Sequence, residues 1–547
     1  MARKVGAALL LGTATVAGGA APALAQTEAA KPAGYAALET LFTEWRVFEY
    51  SGTRDGAPDY TAAAMAKKAT ELKQWQARLA AIDRAGWSTS QLIDYQIVRA
   101  EMNGLDFDLR VLKPWERDPA FYQLLWAAIS DTPAHEGPMA HGEIELWQYK
   151  FPLDAASAKK LTAGLKQIPP FLTQGRTNLT ANTRDLWSAG IDTMQEQSDA
   201  LADLEKRAGN REVARAAAEA RKATDSFVTW LKAELPKKTG PSGVGVENYN
   251  WYLKNVQLSP LTWEGEVALL ERELGRSHAA LRLEEHNNRN LPQLAGATDA
   301  ASYEAQATKA VKDYLKFLGD NEILTVKDYM EPALMAQRGT YVPPERQNFF
   351  HITMHRAPMT LWTHFYHWWD LQMTEKDPHP SLIRRAPLLY NIWISRAEGQ
   401  ATGMEEAMLY AGLFDDRPRE REIVWIMQAQ RAARGLASLY AHANIFTMDE
   451  AKAMQVARTP NGWMSPTLKL LAGEQQLYLR QPGYGTSYIS GKHQVDKLIG
   501  ELAEAKGKDF RIKDFYDGMN KSGMIPMSLI RWEMLGKDDE VKKIGAY

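Results

Sequence analysis

The sequence predicts a mainly α protein: a large multi-helix fold with at most a small β element. Two observations carry that expectation. Apolar residues recur at three- and four-residue spacing through 62–82, 92–112, 155–168, 196–235 and 259–288, the period of an amphipathic helix. Alternating apolar and polar residues are scarce, and 348–353 is the best short strand candidate.

Taken from the start, Arg3 and Lys4 precede an apolar run, 5–20, and Ala23-Leu24-Ala25 supplies a small-x-small cleavage site. Residues 1–25 therefore read as a signal peptide, with the mature chain beginning at Gln26 and exported to the periplasm. No later segment offers 18 uncharged apolar residues, so no membrane span is expected after cleavage. The chain has no cysteine, which excludes disulfides, thiolate metal sites and a cysteine nucleophile. Its 65 basic and 67 acidic residues leave a net charge of -2, giving no electrostatic case for nucleic acid. The 17 Trp and 21 Tyr mostly read as core packing, with a minority free to stack a flat substrate. The breaker-rich run Lys237-Lys238-Thr239-Gly240-Pro241-Ser242-Gly243-Val244-Gly245 divides an N-terminal helical subdomain, 26–236, from a C-terminal one, 237–547. No fixed-period repeat is visible.

Chemistry-bearing motifs concentrate in the second half. His364 and His367 are three residues apart, Asp370 follows three later, and Glu398-Gly399 comes about 30 residues on. Two histidines and carboxylates could form a metal site, although histidines among four aromatics also suit a pocket or core. His351 and His355 are four apart, but 350–353 looks extended. His135-Glu136-Gly137-Pro138-Met139-Ala140-His141 imitates a metal motif, yet Gly137 and Pro138 break any helix that would align the two histidines. No Gly-x-Ser-x-Gly elbow occurs, 484–488 being the nearest approach, and no dinucleotide or P-loop motif is present.

Several segments together resemble a bacterial family, the "domain of unknown function 885" proteins. Arg431-Ala432-Ala433-Arg434 followed by His442, then Phe446-Thr447-Met448-Asp449-Glu450-Ala451, is similar to that family's Arg-Ala-x-Arg helix and the capped helix after it. Tyr478, Pro482-Gly483, Tyr488 and Gly491 keep a family spacing, and Phe515-Tyr516-Asp517, Gly523 and Pro526 resemble its final signature. The resemblance implies an exported helical protein with a zincin-like fold and a zinc site of the pattern HExxPGHH plus a later Glu. Aligned on Leu371-Gln372, the first ligand position holds Thr363, the catalytic Glu is His364, and the ligand His pair is Trp369 and Asp370. Tyr516 replaces the family's terminal His, and Tyr484 replaces a Gln. Only Glu398 survives of the set, and one carboxylate does not hold a catalytic zinc.

What remains is an acid/base kit. The expected catalytic groups are Glu398, His364, His367, Tyr488 and Tyr516. Trp368, Trp369, Arg434, His442, Tyr478 and Tyr484 are the expected substrate contacts, with no metal and no cofactor. Carboxylates beside His or Tyr suit proton transfer, and Arg and Tyr donors can hold an oxyanion. The expected partner is a small aromatic molecule, cleaved by a metal-independent lyase through elimination or a retro-aldol-type step. Two alternatives stand beside this: a non-catalytic pseudo-peptidase that binds peptides or small molecules, and a metallopeptidase with a rearranged metal site.

Overall fold

The computed structural model describes residues 33–129 and 139–545; the signal-peptide segment and His135 lie outside them. The protein is mainly α, with only two tiny sheets among the described residues. Thr53–Arg54 pairs antiparallel with Ala57–Pro58, and Leu125–Trp126 pairs parallel with Ile144–Glu145. Among the described residues no helix is long and apolar enough to cross a membrane.

Helix boundaries follow local chemistry. α1, Thr89–Phe107, starts on a capping box in which the Ser88 side chain accepts from Gln91 N. It passes into one π-helical turn, Asp108–Leu112, and stops at Lys113 in the left-handed region ahead of Pro114. The pattern read as one helix over 196–235 is two: α2, Arg184–Arg207, and α3, Arg211–Glu234. Gly209 at φ 63 turns the chain between them, and Asn210 caps the second. α4, Trp263–Asn287, and α5, Ala300–Asp320, each begin at a side-chain N-cap, Thr262 and Asp299.

The strand expected at 348–353 is a helix. Asn348 accepts a hydrogen bond from His351 N in a capping box and launches α6, Phe349–Arg356. That cap outweighs the apolar run that suggested extended backbone. His351 and His355 accordingly lie one turn apart, with His355 Nδ1 2.7 Å from the His351 carbonyl. Next come α7, Pro358–His364, opened by proline, and α8, Tyr366–Lys376.

The functional half is built on α9, Ile394–Tyr410, α10, Pro418–His442, α11, Lys469–Arg480, and α12, Tyr484–Lys506. α9 and α12 cross on two glycines. A Cβ on Gly399 would sit 2.4 Å from the Gly491 carbonyl carbon, and one on Gly491 would sit 2.4 Å from the Ser395 carbonyl oxygen. Only residues without a Cβ allow this approach, and it lets a side chain from the start of α12 reach Glu398. α13, Ile512–Ser522, and α14, Met527–Leu535, close the C-terminal side. One buried apolar cluster contains Ile97 and Phe107 of α1 as well as Ile392, Leu498 and Ile530, so both halves of the chain share a core. The 237–245 segment is tied to each side: Asn182 Oδ1 accepts from Gly240 N, and Gly243 N donates to Asn444 Oδ1.

Candidate functional site

Glu398 lies in the first turns of α9, and Ala401 and Glu405 follow on the same face at three- and seven-residue offsets. Its carboxylate is held from two sides. His367 Nε2 is 3.2 Å from Oε2, and the Tyr484 hydroxyl donates to Oε1 at 2.6 Å. Burial works to raise the pKa of Glu398, but His367 and the Tyr484 hydrogen bond outweigh it and hold the group below its ordinary value.

His364 and His367 do not share one helix face. Phe365, with ψ near 25°, breaks the helix between them. The break turns their rings edge to face, with centroids 5.0 Å apart at 83°. His364 Nδ1 lies 3.0 Å from Glu405 Oε1, a carboxylate the sequence reading did not single out. Burial, followed by the charge of Arg431, holds His364 well below the ordinary imidazole range, so it is neutral at pH 7. Burial pushes Glu405 up to about 7, against the pull of Arg431 and Arg434.

α10 supplies the cations. Arg431 grips Glu405 through two nitrogens, at 2.6 and 2.9 Å. Arg434 Nη1 donates to Glu474 Oε1 at 2.6 Å. The Arg434 guanidinium also lies 3.9 Å from the centre of the Tyr488 ring, and that ring stacks on His364 at 6.1 Å and 18°. Tyr478 stacks on Tyr484 at 6.0 Å. Within this cluster His364 and Tyr488 are the outermost groups, 7% and 8% exposed, whereas Glu398, His367, Arg434, Tyr478 and Tyr484 are at 1–2%.

The structure therefore brings together Glu398, His364, His367, Tyr478, Tyr484, Tyr488 and Arg434, and sets other expected residues apart. Trp369 is committed to the core, stacked on Tyr314 at 6.1 Å and edge-on to Tyr366 at 4.5 Å, an arrangement that offers no platform to a substrate. Trp368 is half-buried at the edge of that core. Asp370 is bound bidentately by Arg396 at 2.8 and 3.0 Å. His442 is pushed down to about 4 by burial, and its Nε2 lies 2.9 Å from the Tyr478 carbonyl. It fixes backbone rather than meeting Glu398. Tyr516 is buried against Phe515, and its hydroxyl makes no hydrogen bond to His367 or Glu398. His141 of the upstream decoy pairs with Glu49 at 3.0 Å. Glu405 and Glu474 were findable: two buried arginines one turn apart require carboxylates, and Glu405 stands two turns from Glu398 on the same face.

The sequence model of the bacterial proteins of unknown function DUF885 matches residues 43–534. The chain belongs to this family. A solved structure of a candidate lipoprotein of unknown function from Shewanella oneidensis is similar to it, at 17% identity and TM-score 0.68, covering 92% of this chain and all of the other. A second candidate lipoprotein, from Colwellia psychrerythraea, is similar at 12% identity and TM-score 0.62, covering 94% of this chain and 99% of the other. At these identities the likeness shows the fold alone. Comparison with curated proteins gives no match.

The zinc set that the resemblance implies for DUF885 proteins does not fit here. The Thr363 hydroxyl donates to the Thr360 carbonyl at 2.7 Å, Trp369 is core, and Asp370 belongs to Arg396. A different set does converge: donor atoms of the buried His364, His367 and Glu398 all lie within 4.8 Å of one another. Two imidazoles and one carboxylate form a donor set suited to zinc, manganese or iron.

Proposed function

We propose that this chain is an exported, metal-independent enzyme that acts by proton transfer on a small aromatic molecule, a lyase working by elimination or retro-aldol-type cleavage. The observation that carries this is Glu398, ionised in a dry site and contacted at once by an imidazole and a phenol. Such a chain can move a proton from substrate to protein and back. In a retro-aldol step a base of the cluster removes a hydroxyl proton, and the electron pair left on oxygen forms the C=O of an aldehyde. The carbon–carbon bond breaks, and the carbon left beside the ring takes up its electron pair together with a proton. Arg434 with Tyr488 supplies donors for the oxyanion that forms, and Tyr478 and Tyr484 supply aromatic faces. Zincin-like ancestry accounts for Glu398 and the two glycines persisting while the other ligand positions changed. The apolar run with its small-residue cleavage site, and the candidate lipoproteins among the structural relatives, support export.

Purified protein is to be screened against phenolic dimers and peptides, with and without EDTA. Turnover of a phenolic substrate that survives EDTA and is abolished by Glu398→Gln is expected. Binding without turnover of either class would replace the enzyme with a binding protein, a pseudo-peptidase.

One observation favours a second reading: the convergence of His364, His367 and Glu398. Those three residues would hold a divalent ion, and the ion would supply a Lewis acid and a water of lowered pKa for hydrolysis. Tag-free protein with close to one equivalent of metal, and peptide hydrolysis lost in EDTA, selects this reading; below about a tenth of an equivalent removes it, since a high-affinity site keeps its ion through purification.

A further inference from the structure

A cavity of about 340 Å³ opens between the segment 325–330, the end of α8 and α13, and shares no residue with the cluster around Glu398. It is large enough for a small organic molecule. Asn520 lines it in a fixed orientation: Oδ1 accepts from the Tyr366 hydroxyl at 2.6 Å and from Arg396 Nη2 at 3.2 Å. Both partners are donors, so the amide cannot be reversed. Its Nδ2 is left with no acceptor among the described residues. His379 lines the cavity too, and its Nδ1 accepts from Ser381 N at 3.0 Å. Burial, followed by the charge of Arg384, lowers its pKa, so the neutral ring carries its hydrogen on Nε2. The charges of the cavity are unevenly committed. Both oxygens of Asp517 accept from Thr325, one from N at 2.8 Å and one from the hydroxyl at 2.7 Å, and Asp377 is met by Lys327 at 3.2 Å. Arg385 and Lys521, both exposed, make no ion pair among the described residues. Met330, Met373 and Met524 supply apolar wall.

We propose that this cavity binds a small organic acid, its carboxylate held by Asn520 Nδ2 with Arg385 and Lys521, and its apolar part set against the three methionines. A carboxylate leaving water needs donors already fixed in place and cations without a carboxylate of their own. The cavity offers both. A cationic ligand would instead meet two carboxylates that are already engaged and two like charges. Methionine side chains adapt to irregular shapes, so a flat aromatic acid fits as well as an aliphatic one. The site adjoins the candidate cluster without entering it. Asn520 is tied to Tyr366, which precedes His367 on α8, and to Arg396, two residues before Glu398 on α9. The proposal does not depend on the reaction assigned to Glu398.

Calorimetric titration of the purified protein with sodium benzoate at low salt tests this, with benzamide and inorganic phosphate as controls. One benzoate per chain is expected to bind, and neither control measurably. Asn520→Asp keeps an oxygen for Tyr366 and Arg396 but turns the Nδ2 donor into a second acceptor. It is expected to weaken benzoate binding by about tenfold or more. Arg385→Glu combined with Lys521→Glu changes only exposed side chains and is expected to do the same. No binding to the wild type overturns the proposal. So does equal binding of benzamide or phosphate, or an affinity unchanged in either variant, which would put benzoate elsewhere. The wild type and the charge-reversed variant decide the matter even if Asn520→Asp does not fold. None of these outcomes bears on Glu398, whose role is left to its own test.

Discussion

Two of the regions that bury arginine in this protein do so in different ways. Arg384 joins α1 to the C-terminal helices. Its Nε donates to Asp94 at 2.7 Å, Nη1 to Glu533 at 2.8 Å and Nη2 to the Ser90 hydroxyl at 2.9 Å, with the side chain wholly buried. Each nitrogen is hydrogen-bonded to a carboxylate or a hydroxyl, and Asp94 also accepts from the Tyr35 hydroxyl. The α9–α10 cluster also balances arginines with carboxylates, but sets two imidazoles, His364 and His367, against them. Burial alone therefore does not mark a functional site; what sets this cluster apart is the pair of imidazoles packed against its buried carboxylates.

The comparison breaks most sharply at Arg384. Arg384→Met leaves Asp94 and Glu533 without their cation and is expected to cost about 3–5 kcal/mol, read as a shift of the urea midpoint. A cost below about 1 kcal/mol would mean that the clamp does not hold the halves together. Next in size is Gly491→Ala. Its Cβ meets the Ser395 carbonyl, and the displaced helix is expected to cost about 1–3 kcal/mol. It should also pull Tyr484 off Glu398, seen as altered Tyr ultraviolet difference absorbance; a stability within error of wild type would show that α9 and α12 have slack.

How far these regions were legible from sequence follows from what each depends on. Helix periodicity was plain, because amphipathic spacing is a local property, and the fold class came with it. The break at Gly209–Asn210 was missed because apolar spacing carries across a short turn, and the helix at 349–356 because its evidence is one capping side chain. In the site, Glu398, His364 and His367 were reachable through order and spacing. Trp369 and Asp370 were misplaced for a single reason: their partners, Tyr314 and Arg396, come from other helices, and no spacing encodes which of two faces turns inward. Glu405 was overlooked because its signal is not local: it follows only from Arg431 and Arg434, on another helix, needing carboxylates once buried.

A smaller effect on stability sharpens the contrast from the side of the site. In Glu398→Gln the Tyr484 hydroxyl can still donate to the side-chain oxygen, so stability is expected to stay within about 1 kcal/mol of wild type. Turnover of any substrate found is expected to fall about 100-fold or more. A loss of stability as large as that of Arg384→Met would put Glu398 among the structural ion pairs instead.

An effect confined to high pH isolates what burial does to a carboxyl without a cation. Glu266 is buried on α4, accepts from the Tyr249 hydroxyl at 2.8 Å, and is pushed up by burial from 4.5 to about 7. Its folded pKa is raised, so the native state binds the proton more tightly than the unfolded chain. Its contribution to stability is whole below about pH 4.5 and is lost as pH rises through about 7. Glu266→Gln keeps the shape and the bond from Tyr249 but cannot ionise. Wild type and variant should unfold at nearly the same urea concentration at pH 4.5, and the variant should be the more stable at pH 8, by about 3 kcal/mol. A gap of the same size at both pH values would show that Glu266 ionises freely in the fold. Desolvation alone would then not raise a carboxyl here, and the raised value of Glu405 would need a cause other than its burial.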